Sequence, residues 1–310
     1  MDRFFMRILL ATVIVTAGAG CVNEEHERHD AVVALAFDPV MQVHVRSSAA
    51  PDETVSPGVC VWSLAGGRTW LADRAAAEVY LPPARLVRNG HFWQPETSVD
   101  WPSAETTLTC IGFAPFEAVT ACDAERGVVF DGVDVTTDPG DLRYTEPQTD
   151  RMKSHNGGVV NLPLLPALCQ VEFRIRSGGG YETSVYVRRI VLDAVVCRGT
   201  FRSLPEPAWK LSGASEALTL FEGELLLTDV PQTAVIRRII PQSLQSSVTV
   251  EYEYLTPTGD ARLQQSDVSL PVTKNLRAGH AYTFTLAAGP DGVEVIPETP
   301  LQNNDLKPAS

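Results

Sequence analysis

Val248-Thr-Val-Glu-Tyr-Glu-Tyr254 alternates apolar and polar residues without a fault. Successive side chains of an extended chain point to opposite faces, so this run reads as a strand with one face in a core and the other in water. Tyr282-Thr-Phe-Thr-Leu286 reads the same way, and so do Val171, Phe173 and Ile175 with Glu172, Arg174 and Arg176 between them. The third run ends at Ser177-Gly-Gly-Gly180, which predicts a hairpin with a return strand from Tyr181 to Leu192. Helical periodicity is nearly absent; only Arg74 to Tyr80 and Ser212 to Leu218 offer a helical turn or two. With 22 Pro and 22 Gly punctuating short strands, the fold class is all-β, as two tandem, stacked β-sandwiches.

The polar stretch Ser154-His-Asn-Gly-Gly158 follows the strand-poor segment Thr136 to Lys153 and marks the boundary. This divides the chain into an N-terminal domain over 31–158, a C-terminal domain over 159–298 and a polar tail over 299–310. The first twenty residues have another character. A basic start (Arg3, Arg7) and a short apolar run, Ile8 to Val15, lead through Ala17-Gly-Ala-Gly20 to Cys21. Eight apolar residues give about 12 Å of helix at 1.5 Å per residue, too short to span a bilayer. The pattern is that of a lipoprotein signal peptide over 1–20, with Cys21 lipidated and serving as the outer-membrane attachment. An ordinary secretory signal cut near Gly20 is the other reading. Residues 21–30, CVNEEHERHD, form an acidic tether.

A net charge of −13 excludes nucleic acid as a partner, because such binders need a positive surface to displace counterions. Beyond Cys21 there are five cysteines, Cys60, Cys110, Cys122, Cys169 and Cys197, none in a C-x-x-C arrangement. Four of them sit in or beside β-prone apolar runs, where a free thiol acts as a small hydrophobe. A Cys110–Cys122 bridge stays open because the export route is oxidising. His26 and His29 are spaced i, i+3, unlike the i, i+4 pair of a zincin, and no metal or cofactor is expected. No G-x-S-x-G elbow occurs, and the pairs Glu222/Glu224 and Glu251/Glu253 fit a solvated strand face, so the chain does not read as an enzyme. Trp62, Trp93 and Trp101 offer either core packing, the favoured role, or an aromatic contact surface for a sugar or protein.

Five segments in order carry a family resemblance. Trp101-Pro102 followed by Leu108–Pro115 (LTCIGFAP) is similar to a W…F-x-A-Y-x-P signature. Asn161–Phe173 (NLPLLPALCQVEF) resembles L-x-x-x-H-A-L-S-K-V-x-F, and Ile190–Phe201 resembles I-x-L-x-x-V-x-x-x-G-T-F. Arg238–Gln242 (RIIPQ) before Val248–Tyr254 resembles L-I-P-Q…V-x-V-x-Y, and Leu276–Leu286 resembles L-x-x-G-x-x-Y-x-Y-x-L. Together they resemble the Bacteroidales fimbrillin family.

That resemblance implies a pilus or fimbrial subunit of two transthyretin-like β-sandwich domains, exported as a lipoprotein to the cell surface. Glu24-Glu25 after the cysteine is similar to a surface-export signal of that phylum. It also implies a protease cut after a basic residue near the end of the first strand, and a groove then filled by a neighbouring subunit's strand. In this sequence the first strand is Ala31 to Phe37, with Val33, Leu35 and Phe37 as its core contacts and Pro39 interrupting it. Arg46-Ser47 in the small-residue segment RSSAAP is the expected cut. Gly292–Glu298 reads as completing this chain's own sheet, and the polar tail is a poor donor, which suggests an accessory or tip subunit. The alternative reading is a glycan-binding surface lipoprotein using the three tryptophans; a host protein or glycan receptor is compatible with both.

Overall fold

The runs Gly58–Leu64 (GVCVWSL) and Thr107–Ala114 (TLTCIGFA) are apolar at odd and even positions alike, a pattern that requires burial on both faces. The computed structural model describes residues 33–42, 55–103, 105–178, 184–255, 258–269 and 274–297, and it satisfies that requirement. The first sheet contains β1 (Ala36–Met41), β2 (Gly58–Leu64), β3 (Glu78–Asn89), β4 (Phe92–Pro95) and β5 (Thr107–Ala114). After β6 (Ala121–Asp123) and β7 (Gly127–Asp134), which belong to another sheet, it resumes with β8 (Arg143–Tyr144), β9 (Gln148–Arg151) and β10 (Val159–Pro166). Its order is β2-β3-β4-β1-β10-β8-β5-β9, and β2 also pairs with β5, so all but β9 form a closed ring. Inside the ring pack Leu35, Phe37, Val59, Val61, Leu108, Cys110, Val160 and Leu162. The opposite parity of β2 and β5, including Cys60, Trp62, Ile111 and Phe113, faces a second core.

That second core lies between two further sheets. One runs β14 (Gln232–Ile239), β11 (Cys169–Ser177), β19 (Ala281–Gly289), β20 (Gly292–Ile296). The other runs β17 (Ala261–Ser269), β16 (Ser247–Leu255), β12 (Ser184–Arg202), β7, β6, with β13 (Ala208–Leu226) along the outer side of β12. A two-stranded ladder, β15 (Ser243–Leu244) with β18 (Lys274–Asn275), completes the described strands. Val171, Phe173 and Ile175 from one sheet meet Val248, Val250 and Tyr252 from the other, all six fully buried. The described residues fall in one compact unit that begins at Val33.

Several expectations need correction. β11 does not form a hairpin with β12; it pairs with β14 and, in parallel, with β19, so the chain changes sheets after Ser177. Two strands with facing apolar stripes can meet across a sandwich as well as within one sheet, and alternation does not tell these apart. Ser212 to Leu218 lies in β13, and the helical segment is α1 (Trp70–Asp73) with a 3₁₀ turn at Arg74–Ala76, ahead of a strand that already contains Tyr80. The change of sheet falls at Ala167-Leu168 and not after Gly158, because β10 completes the ring, while β6 and β7 from before Gly158 join β12. β20 pairs with β19 in this chain's own sheet, as expected of a segment joined to the preceding strand by the turn Gly289–Gly292.

The disulfide joins Cys60 to Cys122, with Cα atoms 6.7 Å apart, and Cys110 is free. Strand alternation explains the partner. Cys60 and Cys110 lie on adjacent paired strands but in opposite parity, Cys60 opposite Ile111 and Cys110 opposite Val61. Cys60 therefore points to the second core, where β6 brings Cys122, and Cys110 points into the ring.

Candidate functional site

The ring takes in residues 33–37 of the segment expected as the first strand, Ala31 to Phe37, but the strand itself, β1, runs over Ala36–Met41. Leu35 and Phe37 are 1% and 0% exposed, while Val33 is half-buried against the same cluster. Pro39 does not interrupt the strand: β1 runs through it to Met41, with Pro39 opposite Leu162. Proline lacks an N–H, but a residue in a ladder can turn its carbonyl to one neighbour and leave its N-side undemanding. β1 is an internal strand, parallel to β10 over Ala36–Met41 and antiparallel to β4 at Phe37 opposite Trp93.

Each end of this segment is held by a backbone anchor. At the start, Leu35 N–H donates to the Val99 carbonyl at 2.7 Å and Trp101 N–H donates to the Val33 carbonyl at 3.0 Å. Trp101 is itself pinned, its indole N–H donating to the Gly158 carbonyl at 2.9 Å. Gly158 has φ +83°, and a Cβ there would sit 3.3 Å from the Trp101 indole nitrogen and 3.5 Å from Val33 Cγ1, so the position needs glycine. At the far end Arg143, 0% exposed, donates from Nη1 to the Gln42 carbonyl at 2.5 Å and the Leu164 carbonyl at 3.1 Å. Its Nε and Nη2 donate to Asp141 at 2.9 and 2.6 Å. Asp141 also lies 3.6 Å from Arg238 Nε of β14. A buried guanidinium needs a carboxylate and partners for its donors, and here it has the Asp141 carboxylate and acceptors for four of its five N–H groups.

Arg143 escaped the sequence reading. It lies in the segment taken as strand-poor, and the only trace is Asp141-Leu-Arg143, whose i, i+2 spacing places acid and base on one face of a short strand. The predicted lipidation residue Cys21 and the predicted cut at Arg46-Ser47 lie outside the described residues. Trp62 and Trp101 are 3% and 8% exposed and Trp93 is half-buried. The Trp62 ring lies 5.5 Å from that of Trp70 in the second core, tilted by 48°, whereas Trp93 and Trp101 pack in the ring. The three do not share an exposed face, so they are core residues and not a stacking platform.

Burial pushes the thiols of Cys110 and Cys169 up to about 12 and that of Cys197 up to about 11. Protonated buried thiols are poor nucleophiles and poor metal ligands. Glu172, expected on a wet face, is only 4% exposed. Burial alone would raise its pKa, but hydrogen bonds from Arg174, Thr233 and Thr283 outweigh this and lower it. Its position on β11, between β14 and β19, supplies those donors.

No protein-family model matches the chain, and no curated protein does either. Solved structures do. A fimbrial protein from Bacteroides vulgatus is similar over 85% of this chain and 98% of its own, with TM-score 0.65 and 13% identity. A candidate cell adhesion protein from Bacteroides uniformis is similar over 86% of this chain and 96% of its own, with TM-score 0.55 and 12% identity. Another, from Bacteroides fragilis, is similar over 88% and 100%, with TM-score 0.50 and 12% identity. At such identities the likeness is one of fold, and the chain shares it along nearly its whole described length.

Proposed function

We propose that this chain is a structural, non-enzymatic subunit of a cell-surface fimbria, exported as a lipoprotein through Cys21 and assembled by strand exchange. The observation that carries the reading is the place of β1. It is a short segment, followed within a few residues by Arg46, yet it supplies an interior strand to a closed ring, with Phe37 at 0% exposure and Leu35 just before it at 1%. Removing it leaves unpaired ladder groups on β4 and β10 and an apolar slot between them. Another subunit's extended segment has the right chemistry to fill such a slot. The fold shared with a fimbrial protein supports the same reading. β20 is already used in this chain's own sheet, which supports an accessory or tip-like place.

Partners are then other fimbrial subunits, the outer membrane through the lipid, and a host protein or glycan receptor. The glycan-binding lipoprotein alternative loses the tryptophan platform on which it stood. The test is the N-terminal residue of the protein recovered from cells. Ser47 is expected in assembled material and acylated Cys21 in the precursor; only a Cys21-starting form in isolated fibres would overturn strand removal. Cys21→Ala should release the precursor from the membrane fraction, since anchoring relies on acyl chains worth about 0.8 kcal/mol per buried CH₂.

A further inference from the structure

We infer that Arg143 gauges the length of the strand that occupies the β1 slot, so that the slot selects a partner segment extended over ten residues. This rests on the strand-exchange reading above. The side-chain pockets for Leu35 and Phe37 judge apolar content, but their spacing of two is met by any alternating strand. The two backbone anchors add what the pockets cannot. Trp101 N–H takes the carbonyl of the residue at the Val33 position, and Arg143 Nη1 takes the carbonyl at the Gln42 position. At about 3.3 Å per residue these anchors are roughly 30 Å apart.

Arg143 makes the far anchor demanding. With β1 in place its side chain is fully buried, and its bonds to Asp141 and to the Leu164 carbonyl hold it facing the Gln42 position whether or not a carbonyl arrives there. An occupant that stops after the Phe37 pocket leaves a buried cationic donor short of an acceptor, a larger loss than an unmade bond at the surface. Its hydrogen bond to the occupant goes to a backbone carbonyl, so it is indifferent to the side chain there. The partner that fits is an extended segment of another subunit with two large apolar residues separated by one, continuing at least five residues past the second.

The full chain carrying an engineered protease site between Gln42 and Val55, cut after folding, retains β1 non-covalently and permits exchange with labelled, C-terminally amidated peptides. The peptide matching Val33–Gln42 should displace β1. Removing its final residue should weaken binding at least about tenfold in the native protein, but about threefold or less in the Asp141→Asn/Arg143→Gln variant, where no charged donor faces the Gln42 position. Removing its first residue should weaken binding equally in both proteins, and Arg143→Lys should restore part of the C-terminal penalty. If the full peptide never enters, the strand-exchange reading fails and the gauge with it. If it enters and the C-terminal penalty is the same in both proteins, the gauge alone is wrong.

Discussion

Phe37→Ala is the sharpest test of how β1 is seated. The ring of Phe37 is 0% exposed, lies opposite Trp93 on one side and Val160 on the other, and packs among the side chains lining the ring. Truncating a buried phenylalanine costs about 3–5 kcal/mol, and the upper half of that range applies where the surroundings cannot collapse. Here both neighbouring strands are tied into a closed ladder, so the void persists. Val40→Ala, three residues along and 40% exposed, removes two methyl groups from a wet site and should cost less than about 1 kcal/mol. Urea unfolding followed by tryptophan fluorescence measures both, with Trp93 beside the lesion as a local reporter. The expected result is a midpoint shift for Phe37→Ala several times that for Val40→Ala, at unchanged slope. A shift below about 1 kcal/mol, or equal shifts for the two variants, would refute the seating of β1 described above.

Three further outcomes follow from other parts of the molecule. Val250→Asp places a carboxylate at a 0% exposed position facing Phe173 and its neighbours and should cost several kcal/mol, whereas Glu251→Lys on the half-buried opposite face, beside Arg189 at 3.5 Å, should cost less than about 1; comparable denaturation midpoints would mean the register of β16 is wrong. Reducing Cys60–Cys122, which closes a separation of 62 residues, should lower stability by up to about 4 kcal/mol, and of the five cysteines beyond Cys21 three should react with a thiol reagent only after unfolding; rapid native labelling of Cys110 would contradict its burial. Because the folded pKa of Glu172 is depressed, its contribution is fully present above the unfolded value, near 4.3, and is lost as pH falls through the folded value; Glu172→Gln should flatten the acid limb of the stability curve, and an unchanged limb would show that the Arg174, Thr233 and Thr283 bonds contribute nothing.

The strands that face one core on one side were legible in the sequence, because alternation is a local property. Val248–Tyr254 and Val171–Ile175 reappear as β16 and β11 with the expected faces buried. Partnership was not legible. Whether β11 continues into a hairpin or crosses a sandwich depends on strands distant in sequence, and so does the choice of Cys60 over Cys110 as the partner of Cys122. Glu172 was read as wet because its parity is polar; in a central strand that parity is covered by neighbours' threonines. Leu35 and Phe37 are buried, and the anchors around them come from residues about 60 to 100 positions away, Trp101 and Arg143, which no local pattern announces.

The direction of β1 beside β10 bears on how the fold responds to tension. The two strands run parallel with their register held over six residue pairs, Ala36 to Met41 beside Val159 to Leu164. Tension transmitted along the chain at Val33 pulls β1 lengthwise, so its ladder is sheared all at once and cannot be peeled open one bond at a time. Rupture then requires several hydrogen bonds, the seat of Phe37 and the Arg143 contact to give way together, and resistance to forced unfolding is set by that rate. The seat of β1 therefore grips most firmly along the strand's own axis and least across it.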